Sequence, residues 1–174
     1  GFGIVQGDPD GVLRPILGTL KPVPWAEGNV AQVLVEMHEM DGSVSELSPR
    51  QILKLILDQF NAKGLNPVVA CELEFYLLNK RKNISDAPTP LDGTPDEQNY
   101  DLEVLSRSES LLRAIQTASY IVGLPIDTMI AEFGPGQFEI NFHHTEDVLA
   151  AADTAILFRR IVRGVAAKHN MEAT

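Results

Sequence analysis

Two stretches of the chain alternate between apolar and polar residues, which is the pattern of half-buried β-strands. They read ACELEFYLL over residues 70–78 and QFEINFHH over residues 137–144. Successive side chains of a strand point to opposite faces of its sheet. In the first stretch Leu73 and Phe75 therefore share an apolar face. Glu72 and Glu74 lie next to each other on the opposite face.

The second stretch begins in a turn sequence, Gly-Pro-Gly-Gln over residues 134–137, that lies between two glutamates. Glycine and proline favour tight turns because they adopt the backbone angles that such turns need. If these four residues form the turn, Glu132 lies directly opposite Glu139. The alternative is a different turn that leaves both glutamates in solvent. We predict a core beneath the glutamate face that consists of Leu73, Phe75, Phe138, Ile140 and Phe142.

The two strands together place several carboxylates on one face of a sheet. Like charges on directly opposed residues destabilise a sheet, and one such carboxylate takes up a proton unless a cation neutralises the group. Hard divalent cations prefer oxygen ligands. We therefore predict a site for Mg²⁺ or Mn²⁺ formed by Glu72, Glu74, Glu132 and Glu139. The simpler alternative is a sheet with one solvated face, and His143 and His144 are interpreted as surface or capping residues.

The rest of the chain predicts helices and loops around these strands. One helix is expected after a cap at Ser48, with Pro49 in its first turn. A second helix is expected from Ser108 or Glu109 to Val122, closed by Gly123, and a long third helix after a cap at Thr145. Residues 80–98 are polar and are interpreted as an exposed loop. The combination predicts an α+β fold.

Charge and composition exclude several classes of partner. Acidic residues outnumber basic ones by 24 to 14, which gives a net charge of −10. Nucleic acids and anionic membranes bind basic patches, so neither is expected as a partner. No apolar run approaches the roughly 18 residues of a membrane span. The single cysteine, Cys71, excludes an internal disulfide and fits an intracellular, cytoplasmic protein.

Several motifs resemble the glutamine synthetase superfamily. The stretch CELEFYLL is similar to its first metal-binding strand, and residues 132–174 resemble its Gly-Pro-Gly-Gln block with the helix that follows. The stretches GTLKPVPW and SPRQILK resemble the end of the β-grasp region and the start of the catalytic region. The resemblance implies a truncated β-grasp-like piece over residues 1–43. It also implies part of an antiparallel catalytic sheet backed by helices over residues 48–174.

The resemblance also implies roles for individual residues. Glu74, Glu132 and Glu139 correspond to ligands of the metal ion nearer the glutamate substrate, and Glu72 to a ligand of a second ion nearer the ATP phosphates. Glu132 is expected to help deprotonate the incoming amine. Glu74 and Tyr100 are expected at substrate positions. Asp127 lies where the family usually has a glutamate that contacts the nucleotide.

The implied activity is ligation of an amine to the γ-carboxylate of glutamate, driven by ATP through γ-glutamyl phosphate. The motifs are most similar to the branch that uses putrescine or other polyamines, as in γ-glutamylputrescine synthetase. Ammonia, as in glutamine synthetase proper, stays open as the alternative amine. A non-catalytic relative and a metal-dependent hydrolase or lyase also stay open as functions. The family forms ring-shaped homo-oligomers, and its later motifs are absent from the chain. We therefore interpret the chain as a fragment that is inactive by itself.

Overall fold

The computed structural model describes residues 11–91 and 97–174. The predicted domain over 1–43 includes residues 1–10, and the predicted loop over 80–98 includes residues 92–96; these two segments lie outside the described residues. The described residues form two compact units, of which the first comprises Ala31–Pro67 with the described part of Gly1–Lys21. The second comprises Pro22–Val30 and Val68–Thr174. The predicted division into domains over 1–43 and 48–174 stays a prediction.

Short strands and one helix occupy the N-terminal third of the chain. The strands are β1 (Val12–Pro15), β2 (Lys21–Pro22), β3 (Ala31–Gln32) and β4 (Val35–His38). They form two pairs, β1 with β4 and β2 with β3, and β1 runs antiparallel to β4. Helix α1 (Pro49–Asn61) begins where the sequence predicts, with Pro49 in its first turn, but Ser48 makes no side-chain capping hydrogen bond. None of the apolar residues of α1 is buried.

The second unit contains the sheet on which the glutamates lie. Its strands are β5 (Glu72–Asn79), β6 (Ile126–Ala131), β7 (Gln137–Phe142) and β8 (Met171–Ala173), and its helices are α2 (Leu102–Arg107), α3 (Glu109–Val122) and α4 (Val148–Lys168). The strands form a four-stranded sheet in the order β6-β7-β5-β8. Each strand runs antiparallel to its neighbours. The combination of antiparallel sheets and helices confirms the predicted α+β class.

The apolar face of this sheet packs against α4. Phe138 and Ile140 have no exposed surface, and Phe75 and Phe142 are also buried. The ring of Phe158 on α4 lies 5.8 Å from the ring of Phe75 and 5.3 Å from that of Phe142, measured between centroids. These contacts confirm four of the five predicted core residues. The fifth, Leu73, is half-buried.

The hairpin of β6 and β7 has a different register from the one predicted. Ile130, and not Glu132, pairs with Glu139. The backbone N–H of Glu132 donates to the carbonyl oxygen of Gln137 at 3.0 Å, so the loop begins at Phe133 and is one residue earlier than predicted. Moving a four-residue loop by one position shifts the pairing by two residues. A two-residue shift leaves every side chain on its predicted face, and Glu132 and Glu139 still share a face.

Other predictions along this unit need smaller corrections. Helix α3 ends at Val122, and Gly123 follows in the left-handed conformation with φ of 82°, as predicted. Helix α4 is capped by Asp147, whose side chain accepts from the backbone N–H of Ala150, and not by Thr145. Gln98 is buried, in contrast to the exposed loop that the sequence predicts. The sequence pattern predicts neither helix α2 nor strand β8.

The burial of β7 makes Phe138 a sharp test of this register. Phe138→Ala should lower the free energy of unfolding by roughly 3–5 kcal/mol, because it removes a fully buried ring and leaves a cavity. Phe133→Ala is the matched control in the same hairpin, since Phe133 is 59% exposed. The control should change the free energy by less than about 0.5 kcal/mol. Urea unfolding followed by circular dichroism measures both, and equal losses would contradict the register.

Candidate metal centre

Strand β7 brings the glutamates together because it lies between two partners. Glu139 in β7 is directly opposite Glu74 in β5. Glu132 follows the last residue of β6 on the other side of β7, where its backbone pairs with Gln137. Gln137 and Glu139 are two residues apart on the strand and therefore share a face. Glu132 and Glu74 thus approach Glu139 from the two neighbouring strands.

The three carboxylates converge on one point. One oxygen from each of Glu74, Glu132 and Glu139 lies within 4.8 Å of the other two. Oxygens that share an ion with bonds of about 2.0–2.1 Å are at most roughly 4 Å apart. The largest separation that the cluster allows is therefore within about one ångström of what Mg²⁺ or Mn²⁺ requires. Small side-chain rotations suffice to close that gap, and the all-oxygen donor set suits a hard divalent cation.

Glu139 is the most buried of these carboxylates, with 9% of its surface exposed. Burial raises its pKa above the ordinary value of 4.5, and the negative charges of Glu132, Glu72 and Glu74 raise it further. A hydrogen bond from the Asn141 side chain acts in the opposite direction. The charged form of Glu139 is therefore disfavoured in the metal-free protein. A divalent cation at this point would compensate both the burial and the repulsion.

Glu72 lies one step further along the sheet. It pairs with Asn141 and so lies on the same face as Glu74 and Glu139. Its oxygens are not among the three that converge within 4.8 Å. Its charge nevertheless contributes to the raised pKa of Glu139. This position is near the cluster but separate from it.

The remaining predicted site residues lie outside the three-carboxylate cluster. The Asp127 carboxylate is exposed and lies 3.8 Å from Nδ1 of His143. His143 follows Glu139 by four residues, about 13 Å along an extended strand. Tyr100 is 67% exposed, and its backbone N–H donates to the carbonyl oxygen of Ala131 at 2.9 Å. Tyr100 also has a positive φ of 58°, which is uncommon for a residue other than glycine.

Two glutamines at the turn take part in the site although the sequence alone indicates no role for them. The buried side chain of Gln98 donates to the carbonyl oxygen of Gln137 at 2.8 Å and accepts from the backbone N–H of Gly136 at 3.0 Å. The side chain of Gln137 donates to Glu74 Oε2 at 2.7 Å. The position of Gln137 on the glutamate face is visible in the alternating pattern. No sequence signal indicates a role for Gln98, because it lies at the end of the predicted loop over residues 80–98, far from the turn in sequence.

This combination of an antiparallel sheet, a Gly-Pro-Gly-Gln turn and converging glutamates is that of a glutamine synthetase-type catalytic domain. The sequence profile of the glutamine synthetase catalytic domain matches residues 46–174. The chain therefore belongs to the glutamine synthetase family, as its motifs indicate. Within the described residues, no helix is both long and apolar enough to cross a membrane.

Similar proteins include ligases that are named for different amines. The chain is 37% identical to γ-glutamylputrescine synthetase of Escherichia coli (strain K12), over 100% of the chain and 38% of that protein. It is 34% identical to glutamate–isopropylamine ligase of a Pseudomonas species, over 97% of the chain and 37% of that protein. Glutamine synthetase of Methanocaldococcus jannaschii is 31% identical over 95% of the chain and 36% of that protein. The chain thus spans less than two fifths of these relatives.

Solved structures agree with this fold. The structure of a GmaS/ADP complex superposes with a TM-score of 0.82 at 28% identity, covering 98% of the chain and 38% of that structure. Apo GmaS superposes with a TM-score of 0.83 at 26% identity, covering 97% and 38%. The predicted family and fold are thereby confirmed.

The raised pKa of Glu139 predicts a pH-dependent cost of the cluster. The folded state binds the proton of Glu139 more tightly than the unfolded chain does. Protonated Glu139 therefore contributes to stability fully below pH 4.5, and this contribution is lost as pH rises through the pKa of the folded state. Glu139→Gln should therefore be nearly neutral at about pH 4. At about pH 7, without metal, it should stabilise the protein by up to about 1 kcal/mol, because it removes an opposed like charge. Urea unfolding at the two pH values measures the difference.

A matched control separates this effect from a general loss of negative charge. Glu146 is exposed and precedes α4. Glu146→Gln should change the free energy of unfolding by less than about 0.5 kcal/mol at both pH values. Destabilisation of the metal-free protein by Glu139→Gln at neutral pH would contradict the repulsion argument.

Proposed function

We propose that the chain contributes a divalent metal centre to an ATP-dependent ligase that joins an amine to the γ-carboxylate of glutamate. The convergence of Glu74, Glu132 and Glu139 within 4.8 Å carries the proposal. Membership of the glutamine synthetase family supports it, since the relatives in E. coli, Pseudomonas and M. jannaschii are synthetases and ligases. The activity is proposed for the whole protein, because the chain spans only 38% of the relative of E. coli.

We infer the residue roles from this geometry together with the family motifs. Glu74, Glu132 and Glu139 would hold one Mg²⁺ or Mn²⁺ ion, and Glu72 would contribute to a second. The ions would screen negative charge on ATP and glutamate during phosphoryl transfer. Glu132 is half-buried at the end of its strand, where its carboxylate can accept a proton from the attacking amine. Asp127 and Tyr100 are proposed at the nucleotide and the amine, and Glu74 also at the glutamate substrate.

We further propose an organic amine such as putrescine as the nitrogen donor. The relatives named for putrescine and isopropylamine are 37% and 34% identical to the chain. Four glutamine synthetases are 31% identical at most over similar spans. This difference favours an amine ligase, and ammonia is the second candidate. The ring-shaped homo-oligomer is proposed on the family resemblance alone, and the cytoplasmic location on the single cysteine, Cys71.

Metal binding by the chain itself tests the first part of the proposal. Mn²⁺ should bind, and Glu132→Gln or Glu139→Gln should weaken binding at least about tenfold, since each removes a charged ligand. His143→Ala is the control because its ring lies beside Asp127. It should leave the affinity unchanged in isothermal titration. Equal losses in all three variants would contradict the glutamate assignment and favour a histidine ligand.

Turnover tests the second part. The whole protein should release ADP in the presence of glutamate, and putrescine should accelerate the release more than ammonia at equal free-base concentration. The chain alone should release none, because it spans only 38% of the relative of E. coli. Arginine and metal ions usually clamp transferring phosphoryl groups together. Faster release with ammonia would favour glutamine synthetase proper, and turnover by the chain alone would contradict its interpretation as an inactive piece.

A further inference from the structure

The side chain of Gln137 connects the turn to one of the proposed metal ligands. Its Nε2 donates to Glu74 Oε2 at 2.7 Å, which is a short bond to a charged acceptor. Its Oε1 accepts from the backbone N–H of Gly134 at 2.8 Å and from the hydroxyl of Tyr76 at 3.1 Å. Gln137 and Tyr76 are themselves directly paired across β7 and β5.

These partners fix the orientation of the amide. A carboxylate can only accept hydrogen bonds, so the NH₂ group of Gln137 must face Glu74. The backbone N–H of Gly134 can only donate, so the amide oxygen must face the turn. The Tyr76 hydroxyl then donates to the same oxygen. The contacts with Glu74 and Gly134 both require this orientation of Gln137, and reversing the amide would lose both of them.

Gly134 leaves the space that this arrangement needs. A Cβ atom at position 134 would lie 2.5 Å from the Tyr76 hydroxyl and 2.8 Å from Gln137 Oε1. Both separations are far below normal van der Waals contact. A side chain at position 134 would therefore displace Tyr76 or Gln137 from this arrangement.

Gln98 already stabilises the backbone of the turn. Its side chain is bonded to Gly136 and to the carbonyl oxygen of Gln137. The Gln137 side chain is thus not the sole support of the loop. Its bond to Glu74 restrains a carboxylate that is otherwise exposed and repelled by Glu139 across the strands. Without that bond, Glu74 would be free to rotate towards solvent.

We propose that Gln137 is a positioning residue that holds the Glu74 carboxylate towards the metal centre, with Tyr76 fixing the amide of Gln137. The inference rests on the proposed function, because it assigns Glu74 as a ligand. One oxygen of Glu74 accepts from Gln137, which leaves the other oxygen and a further lone pair for the ion. Partners of this kind orient metal ligands and strongly affect affinity.

Mn²⁺ binding to the 174-residue chain tests this role. Gln137→Leu removes both halves of the amide and should weaken Mn²⁺ binding by about tenfold or more. The water-proton relaxivity per bound ion should also rise, because a water replaces the displaced Glu74 oxygen. A merely structural role would reduce the folded fraction but leave the relaxivity of each bound ion unchanged. Gln116→Leu is the matched control, since it removes a side-chain amide that is bonded to the hydroxyl of Tyr120.

A double-mutant cycle with Glu74→Ala adds an independent test. If Gln137 acts through Glu74, Gln137→Leu should have no further effect on affinity once Glu74 is removed. Additive losses would overturn the proposal. Should Gln137→Leu fail to fold, Tyr76→Phe takes its place, because it removes only one hydroxyl. It should weaken binding by about twofold to fivefold, in keeping with a single hydrogen bond, and an unchanged affinity would overturn the proposal.

The outcomes separate this inference from the proposed function. If the wild-type chain binds Mn²⁺ and Glu74→Ala weakens binding while Gln137→Leu does not, the metal centre stands and the role of Gln137 is wrong. If the wild-type chain binds no Mn²⁺, or Glu74→Ala has no effect on binding, the assignment of Glu74 as a ligand is wrong and the inference is overturned with it.

Discussion

The direct opposition of Glu74 and Glu139 across adjacent strands is the constraint on which the site depends. Like charges in this position repel, and an isolated pair of strands would relieve the repulsion by slipping in register. The apolar residues on the other face of the same strands prevent such a slip. Phe75 and Phe138 are paired one position along, and both are buried, with the ring of Phe75 against Phe158 of α4. A slip of one residue would exchange the two faces and expose these rings.

The core and the carboxylate cluster are therefore two consequences of one alternating pattern. Burial of aromatic rings supplies the free energy that keeps the glutamates together, at a few kcal/mol for each large side chain. The raised pKa of Glu139 records the opposing cost. Sites that retain such a cost are commonly functional, because stability alone would select against them. The divalent cation proposed for this site would relieve that cost, and the hydrogen bond from Gln137 to Glu74 is the contact proposed to position Glu74 for it.

The sequence predicts which face of the sheet each strand residue occupies better than it predicts which residues are opposite each other in paired strands. The alternation of Leu73, Glu74 and Phe75 determines which side chains are core, and it is insensitive to an error of two residues in the hairpin register. The predicted position of the loop is wrong because Phe133 and Gln137 are both acceptable loop residues. In the observed register the buried side chain of Gln98 bonds to Gly136 and Gln137, and the sequence around the turn does not reveal this distant partner. Strand β8 and helix α2 are short, and elements of three to six residues leave little periodicity to detect.

The central claim is that one divalent ion is bound by carboxylates from three neighbouring strand segments. Anomalous diffraction from crystals of the protein soaked in Mn²⁺ tests it most directly, since the ion locates itself. We predict a peak at about 2.0–2.3 Å from oxygens of Glu74, Glu132 and Glu139, with waters in the remaining positions. A strong peak beside Asp127 and His143, with none at the three glutamates, would contradict it.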